Sequence, residues 1–151
     1  MAAEPIYLDD LRVGQRFSSS EVYRMEEEKM KAFAAEWDPQ PFHLEHSAGD
    51  ESVFKGLAAT GWLTAAVAMR LLVASNLNIA GGLVGLGGEI TWPRATRPGD
   101  VLRLEGEILE IRRSRSKPEQ GIVTVRTTLL NQNDEAAQIF TCKILVPARP
   151  Q

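Results

Sequence analysis

Both histidines of the chain and one aspartate lie within a short segment, AAEWDPQPFHLEHSA, which runs from residue 34 to residue 48. Asp38 precedes His43 by five residues, and His46 follows three residues later. Imidazole exchanges protons near neutral pH, and a carboxylate beside it can hold the same water molecule and raise the basicity of the ring. If Asp38 and His43 meet in the fold, the pair suits acid–base chemistry on water.

Two prolines, Pro39 and Pro41, lie between these residues. Proline disfavours helical geometry in the residue before it, so the segment from Asp38 to Phe42 is predicted to be extended or turned. A fully extended segment would hold the Cα atoms of Asp38 and His43 roughly 16–18 Å apart. The pair can therefore cooperate only if the backbone turns between them. The alternative is structural: an Asp–Pro turn beside a packed histidine.

His46 is flanked by Glu45, Asp50 and Glu51, which indicates a solvated surface. A zinc site formed by His43, His46 and Asp50 is a second interpretation, because imidazoles and carboxylates bind zinc. We expect no metal site, since neither a cysteine nor a third histidine supports one.

Two helices are predicted around this segment. Met30, Phe33, Ala34 and Trp37 share one helical stripe, and that helix should end near Asp38. The later stretch GLAATGWLTAAVAMRLLVASNLN is the longest helical candidate. It is apolar on almost every side, so we expect it to be buried on every side.

Gly61 stands at the start of this second helix. The first turn of a helix carries unpaired N–H groups and a positive partial charge. A glycine there lets a ligand approach the backbone closely, so an oxygen that gains negative charge would be stabilised. The alternative is that Gly61 is needed for tight packing at the helix entry.

The rest of the chain is strand-like. A strand is predicted to begin at Arg16, and about four antiparallel strands joined by short turns follow the second helix. This order indicates an α+β domain in which one sheet wraps a central helix. The length of 151 residues favours one domain, residues 1–151. An exposed sheet edge favours pairing with a second subunit.

Composition excludes several classes of protein. The net charge of −3 gives no broad attraction to nucleic acid or acidic membrane, and no apolar run reaches the length of a membrane span. The N-terminus lacks the pattern of a secretory signal. The single cysteine, Cys142, excludes an intramolecular disulfide and is expected as a small residue in a strand. It fits a reducing compartment, and we expect a cytoplasmic protein.

The sequence resembles the MaoC-like dehydratases and (R)-specific enoyl-CoA hydratases of the hotdog fold. Their motif is Asp-x-Asn-Pro-x-His, and Asp38, Pro41 and His43 match it, with Gln40 at the usual Asn position. The stretch VFKGLAATGW matches the approach to the central helix, with Gly61 at the oxyanion position. GLGGEITWPRATRPGD resembles the strand and turn that follow the helix, and the resemblance covers nearly the whole chain.

The resemblance implies a hydro-lyase that interconverts a trans-2-enoyl-CoA and a 3-hydroxyacyl-CoA. Asp38 and His43 would hold and polarise the water, and the backbone N–H of Gly61 would receive the thioester oxygen as enolate character develops. No metal or redox cofactor would be needed, and the assembly would be a homodimer or a dimer-based higher oligomer. The alternatives are an acyl-CoA thioesterase and a non-catalytic subunit that binds an acyl thioester.

Three positions depart from the family pattern: Trp37 replaces a glycine, Thr60 a histidine and Met69 a serine. The bulk of Trp37 and Met69 favours a short or compact acyl group. The residues expected against the substrate are Trp37, Gln40, Thr60 and Trp62. The basic residues that could bind the phosphates of coenzyme A are Arg94, Arg97, Arg112, Arg113, Arg115 and Lys117.

Overall fold

A computed structural model describes residues 4–151. A 3₁₀ turn at Leu8–Asp10 precedes the other elements. The helices and strands are, in chain order, β1 (Arg16–Ser18), β2 (Tyr23–Arg24), α1 (Glu27–Trp37), α2 (Pro41–Leu44), α3 (His46–Glu51), α4 (Gly61–Val73), β3 (Val84–Thr91), β4 (Val101–Arg113), β5 (Gln120–Leu130) and β6 (Ala136–Pro147).

The strands form an antiparallel sheet in the order β1-β4-β5-β6-β3, and β2 also pairs with β4. The turn between β5 and β6 falls at residues 131–135, where the sequence predicts a hairpin. β3 and β4 are not joined by a hairpin, because β3 pairs with β6 at the far edge of the sheet. The connection between them, residues 92–100, therefore carries the chain from one side of the sheet to the other.

The central helix α4 packs against β4 and β6. One stripe of the helix is buried in the core, and this stripe consists of Leu63, Thr64, Val67, Ala68, Leu71 and Leu72. Trp62, Met69 and Val73 are 61%, 45% and 66% exposed, so the prediction of burial on every side is wrong. The curved sheet covers only one side of α4 within a single chain. A sheet wrapped around a central helix is the hotdog fold, as expected.

The helix α1 ends at Trp37, as predicted, and the chain then turns through Asp38. The amide of Gln40 donates to the carbonyl oxygen of Asp38 at 2.7 Å, which tightens the turn. The prediction that the segment stays non-helical as far as Phe42 is wrong, because α2 begins at Pro41. Proline is well suited to the first helical position, where its missing N–H would have had no helical partner.

The remaining features agree with the expected strand positions. Cys142 lies buried in β6, and burial raises the pKa of its thiol. Within residues 4–151, every helix is too short or too polar to cross a bilayer.

Candidate active site

Asp38 and His43 meet at the turn between α1 and α2. The Nε2 atom of His43 lies 3.2 Å from Oδ2 of Asp38. The turn after α1 reverses the chain, and the first turn of α2 then points the imidazole back toward the carboxylate. His43 is only 6% exposed. The turn that the sequence left open therefore exists, and it brings the acid–base residues together in a largely dry environment.

The other nitrogen of the His43 ring fixes its hydrogen-bonding pattern. Nδ1 lies 2.7 Å from the carbonyl oxygen of Ala58, and a carbonyl oxygen can only accept, so Nδ1 carries a hydrogen and donates it. Nε2 is then the atom that faces Asp38. At 3.2 Å, Nε2 and Oδ2 are close enough to share a proton with each other or to hold one water molecule between them.

Two further side chains hold the Asp38 carboxylate. The hydroxyl of Thr60 donates to Oδ2 at 2.6 Å, and the amide nitrogen of Gln40 donates to Oδ1. Burial raises the pKa of Asp38, but the hydrogen bonds from Thr60 and Gln40 and the proximity of His43 outweigh it and lower the pKa below its ordinary value. Asp38 is therefore ionised and fixed in orientation near neutral pH.

Gly61 begins α4 directly beside this pair. Its amide hydrogen has no acceptor among residues 4–151, as expected for the first turn of a helix. A Cβ atom on Gly61 would lie 2.7 Å from the ring of Trp92. The two interpretations of Gly61 are therefore compatible. The ring of Trp92 occupies the space that a side chain would need, and the unpaired amide of Gly61 remains at the tip of α4.

A cavity of about 410 Å³ joins these groups. Aromatic rings form the wall around His43: its ring centroid lies 4.7 Å from that of Phe42, which in turn lies 5.2 Å from that of Phe54. An apolar wall excludes water and strengthens the electrostatic interactions inside the cavity. The cavity is lined by Asp38, Gln40, Phe42, His43, Phe54, Ala59, Gly61, Trp62, Thr64, Trp92, Arg94, Ala95 and Thr96.

The residues expected against the substrate divide into two groups. Gln40 and Trp62 line the cavity. Trp37 lies outside it and is 67% exposed at the end of α1. Thr60 is fully buried and reaches Asp38 instead of the cavity, while Met69 lines a separate groove. The structure thus gives Trp37 and Thr60 positions unlike those of substrate-contacting residues.

His43 and His46 face different partners. Nε2 of His46 lies 2.8 Å from Glu27 Oε1 on the surface, while His43 bonds to Asp38 and Ala58. No three His, Cys, Asp or Glu side chains converge in a geometry suited to a metal ion in the described part of the chain.

Several cavity residues have no signal in the local sequence. Trp92 and Thr96 belong to the connection that crosses from β3 to β4, and Phe54 belongs to the loop after α3. What these residues share is their position in the fold, because the β3–β4 connection and the loop after α3 both pass the tip of α4. The WPR stretch after β3 lies within the segment that carried the family resemblance, which was the only signal that could have found Trp92.

The basic residues also separate. Arg94 lines the cavity and forms an ion pair with Glu135 at 2.8 Å. Arg97 instead donates to the carbonyl oxygens of Leu57 and Phe54, and so holds the loop before α4 in place. The remaining four basic residues flank the turn between β4 and β5, at the end of the sheet away from the cavity. There Arg113 pairs with Gly121. The four residues are Arg112, Arg113, Arg115 and Lys117.

Comparison with known proteins agrees with this geometry. The family model of the MaoC-like domain matches residues 10–131. A crystal structure of a MaoC-like dehydratase from Rhodospirillum rubrum is 50% identical, with a TM-score of 0.93 over 97% of this chain and 99% of that chain. The unliganded (R)-hydratase PhaJ1 from Pseudomonas aeruginosa is 25% identical, with a TM-score of 0.71 over 96% of this chain and 88% of that one.

A further relative is YdeM, an uncharacterised protein of Bacillus subtilis (strain 168). It is 28% identical over an alignment of 131 residues, and the match covers 84% of this chain and 89% of YdeM. The family model alone spans most of the sequence, and the aspartate, histidine and helix-tip glycine of the family pattern share one cavity. The chain belongs to the MaoC-like domain family, a family of hydratases and dehydratases.

Proposed function

We propose that this protein is an acyl-CoA hydratase/dehydratase that interconverts a trans-2-enoyl-CoA and a 3-hydroxyacyl-CoA. The observation that carries the proposal is the contact of Asp38 with His43 beside the unpaired amide of Gly61, in one cavity. Acid–base groups and an oxyanion donor are the two requirements for adding water across the Cα–Cβ bond of a thioester.

In the hydration direction, a water molecule enters between the carboxylate and the imidazole. The pair removes one proton from this water while its oxygen bonds to Cβ of the enoyl group. The electrons of the Cα–Cβ double bond move toward the thioester carbonyl. As the carbonyl re-forms, the pair delivers a proton to Cα and so returns to its starting protonation state. Atoms and charge balance, because one hydrogen and one hydroxyl are added. Dehydration is the reverse sequence, as the same groups serve both directions.

The thioester oxygen gains negative charge during this step. The Gly61 amide at the tip of α4 would donate a hydrogen bond to that oxygen, supported by the positive partial charge of the helix N-terminus. The donor is already held in place by the helix, so little reorganisation is required when the charge develops. Coenzyme A would extend out of the cavity past Arg94, whose guanidinium suits a phosphate.

We also propose that the protein works as a homodimer or a dimer-based higher oligomer. β3 pairs with β6 on one side only, and its other edge is free within residues 4–151. Val84 and Leu86 on this strand are 50% and 52% exposed. A free apolar edge strand is a template for pairing with a second copy. Light scattering after gel filtration should give a dimer or a multiple of it, and Leu86→Lys should shift the mass toward the monomer.

The test of the activity is the loss of enoyl absorbance when wild-type protein is mixed with enoyl-CoA thioesters of several lengths. Mass spectrometry should show a product heavier by one water molecule. Release of free thiol with the enoyl chromophore intact would instead indicate a thioesterase. Tight acyl-CoA binding by calorimetry with no product would indicate a non-catalytic binding subunit.

A further inference from the structure

We propose that the indole pair Trp62–Trp92 is the end wall of the catalytic cavity and restricts the enzyme to short acyl chains. This inference rests on the proposed function and names the substrate class for the same site. Trp62 lines two separate spaces: the catalytic cavity of about 410 Å³ and an apolar groove of about 340 Å³ along α4. Trp62 therefore borders both spaces, and Trp92 lies against it on the cavity side.

The geometry of the pair explains how it closes the cavity. The ring centroids of Trp62 and Trp92 are 5.6 Å apart with an interplanar angle of 84°, an edge-to-face contact. Trp92 also packs directly on Gly61, where even a Cβ atom would have no room. The wall thus stands immediately beside the amide assigned to the thioester oxygen, close to the first carbons of the acyl chain.

Trp92 is anchored, whereas Trp62 is not. The indole N–H of Trp92 donates to Gln138 Oε1 at 3.0 Å, and Gln138 is a buried residue of β6 with 2% exposure. Among residues 4–151 no side chain accepts a hydrogen bond from the Trp62 indole, and Trp62 is 61% exposed. Removal of the Trp62 side chain should therefore open the wall with little cost to folding, while removal of Trp92 would also disturb the packing on the helix tip.

The space behind the wall is apolar and suits an extended acyl chain. Its lining includes Ala65, Met69 and Ile90, none of which lines the catalytic cavity. Met69 lines the groove and not the cavity, so its bulk affects chain length only after the wall is opened. This prediction distinguishes a wall at Trp62 from a limit set by Met69, one of the two residues, with Trp37, whose bulk the sequence suggested.

The experiment measures kcat/KM for a four-carbon and an eight-carbon trans-2-enoyl-CoA with wild type, Trp62→Ala, Trp62→Phe, Met69→Ala and the double variant Trp62→Ala/Met69→Ala. We expect wild type to favour the short substrate. Trp62→Ala should raise the long-to-short ratio by roughly tenfold or more, because each methylene accommodated in an apolar pocket is worth roughly tenfold. Trp62→Phe should give a smaller rise. Met69→Ala alone should leave the ratio unchanged, and in the double variant it should raise the ratio further.

The proposal would be overturned if Trp62→Ala, with its fold and solution mass intact, left the long-to-short ratio of kcat/KM unchanged. It would also be overturned if Met69→Ala raised this ratio as much as Trp62→Ala does. If wild type hydrates no enoyl-CoA, the proposed function fails, and the wall is then tested by binding. Calorimetry with saturated four-carbon and eight-carbon acyl-CoAs should show the same change of preference in Trp62→Ala. Equal binding ratios in wild type and Trp62→Ala would reject the wall independently of catalysis.

Discussion

Two histidine–carboxylate pairs lie close together in this protein and differ in almost every physical respect. His43 and Asp38 are 7% and 18% exposed in their side chains, and their contact is 3.2 Å. His46 and Glu27 are 58% and 38% exposed, and their contact is shorter, at 2.8 Å. A short distance alone therefore does not identify the site. Burial, additional hydrogen bonds and a neighbouring cavity distinguish the first pair from the second.

The carboxylates of the two pairs show why these environments matter. Asp38 receives hydrogen bonds from Thr60 and Gln40, so both its oxygens are fixed. The pKa of Glu27 is also lowered, first by a hydrogen bond from Lys31 and then by His46, but this pair lies on the surface. Water and salt screen such an exposed pair. The same two residue types thus give an organised acid–base pair in one environment and an ordinary surface ion pair in the other.

The largest expected difference is in catalysis by the two histidines. His43→Ala removes the imidazole that exchanges protons with water, and kcat should fall by roughly 100- to 10,000-fold. His46→Ala should leave kcat and KM close to wild type, because His46 lies outside the cavity. Steady-state enoyl-CoA hydration with both purified variants checks this, with circular dichroism to confirm folding. Full turnover by His43→Ala would remove His43 from the proposed mechanism.

The carboxylates should follow the same order. Asp38→Asn keeps the shape of the side chain but removes its charge, and we expect a fall in kcat of roughly 100-fold or more. Glu27→Gln is the matched control and should retain wild-type activity. Equal effects of the two substitutions would mean that burial does not distinguish the pairs functionally. The assay is the same, at a pH where Asp38 of wild type is ionised.

A smaller effect is expected from Thr60, which acts through Asp38 as a positioning residue. Thr60→Val keeps the shape but removes the hydroxyl that lowers the pKa of Asp38, so that pKa should rise. In the proposed mechanism Asp38 acts as the ionised carboxylate, so the acid limb of the pH–rate profile should move to higher pH. At neutral pH the activity should fall by roughly threefold to tenfold, the net value of one hydrogen bond.

Thr60→Ser is the control for this prediction. It restores the hydroxyl and should restore the acid limb. A purely structural role of the β-branched side chain would give the opposite order, with Thr60→Val like wild type and Thr60→Ser impaired. Stability follows the same sign. The contribution of Asp38 is fully present above its ordinary carboxyl pKa and is lost as the pH falls through the lower pKa of the folded state. Thr60→Val raises the folded-state pKa, so this contribution should be smaller than in wild type and its loss should be complete at a higher pH.

The smallest effect concerns the exposed pair. His46→Gln removes one partner of Glu27, but Lys31 remains at 3.1 Å from the same carboxylate. The melting temperature at neutral pH should stay within about 2 °C of wild type, because exposed ion pairs contribute little. Thermal unfolding followed by circular dichroism measures it. A large loss of stability would show that this surface pair has a structural role that its exposure does not indicate.

Local sequence determined much of this protein. The stripe that ends at Trp37, the helix that begins at Gly61 and the alternation of the last strands each depend on near neighbours, and periodicity reports them directly. The family motif further indicated that Asp38, His43 and Gly61 belong together. The buried position of Cys142 in a strand follows from the same local pattern.

Only the tertiary structure decided the rest. Trp92 and Thr96 reach the cavity because β3 lies at the far edge of the sheet, so the connection to β4 must pass the tip of α4. No local pattern encodes that path. The prediction that α4 is buried on every side is wrong because it also depends on the strand order. Hydrophobicity shows that a helix can be buried, but the order of the strands decides which side of it the sheet covers. Residue types and spacing indicated which chemistry Asp38, His43 and Gly61 suit, and the topology determined which residues line the cavity around them.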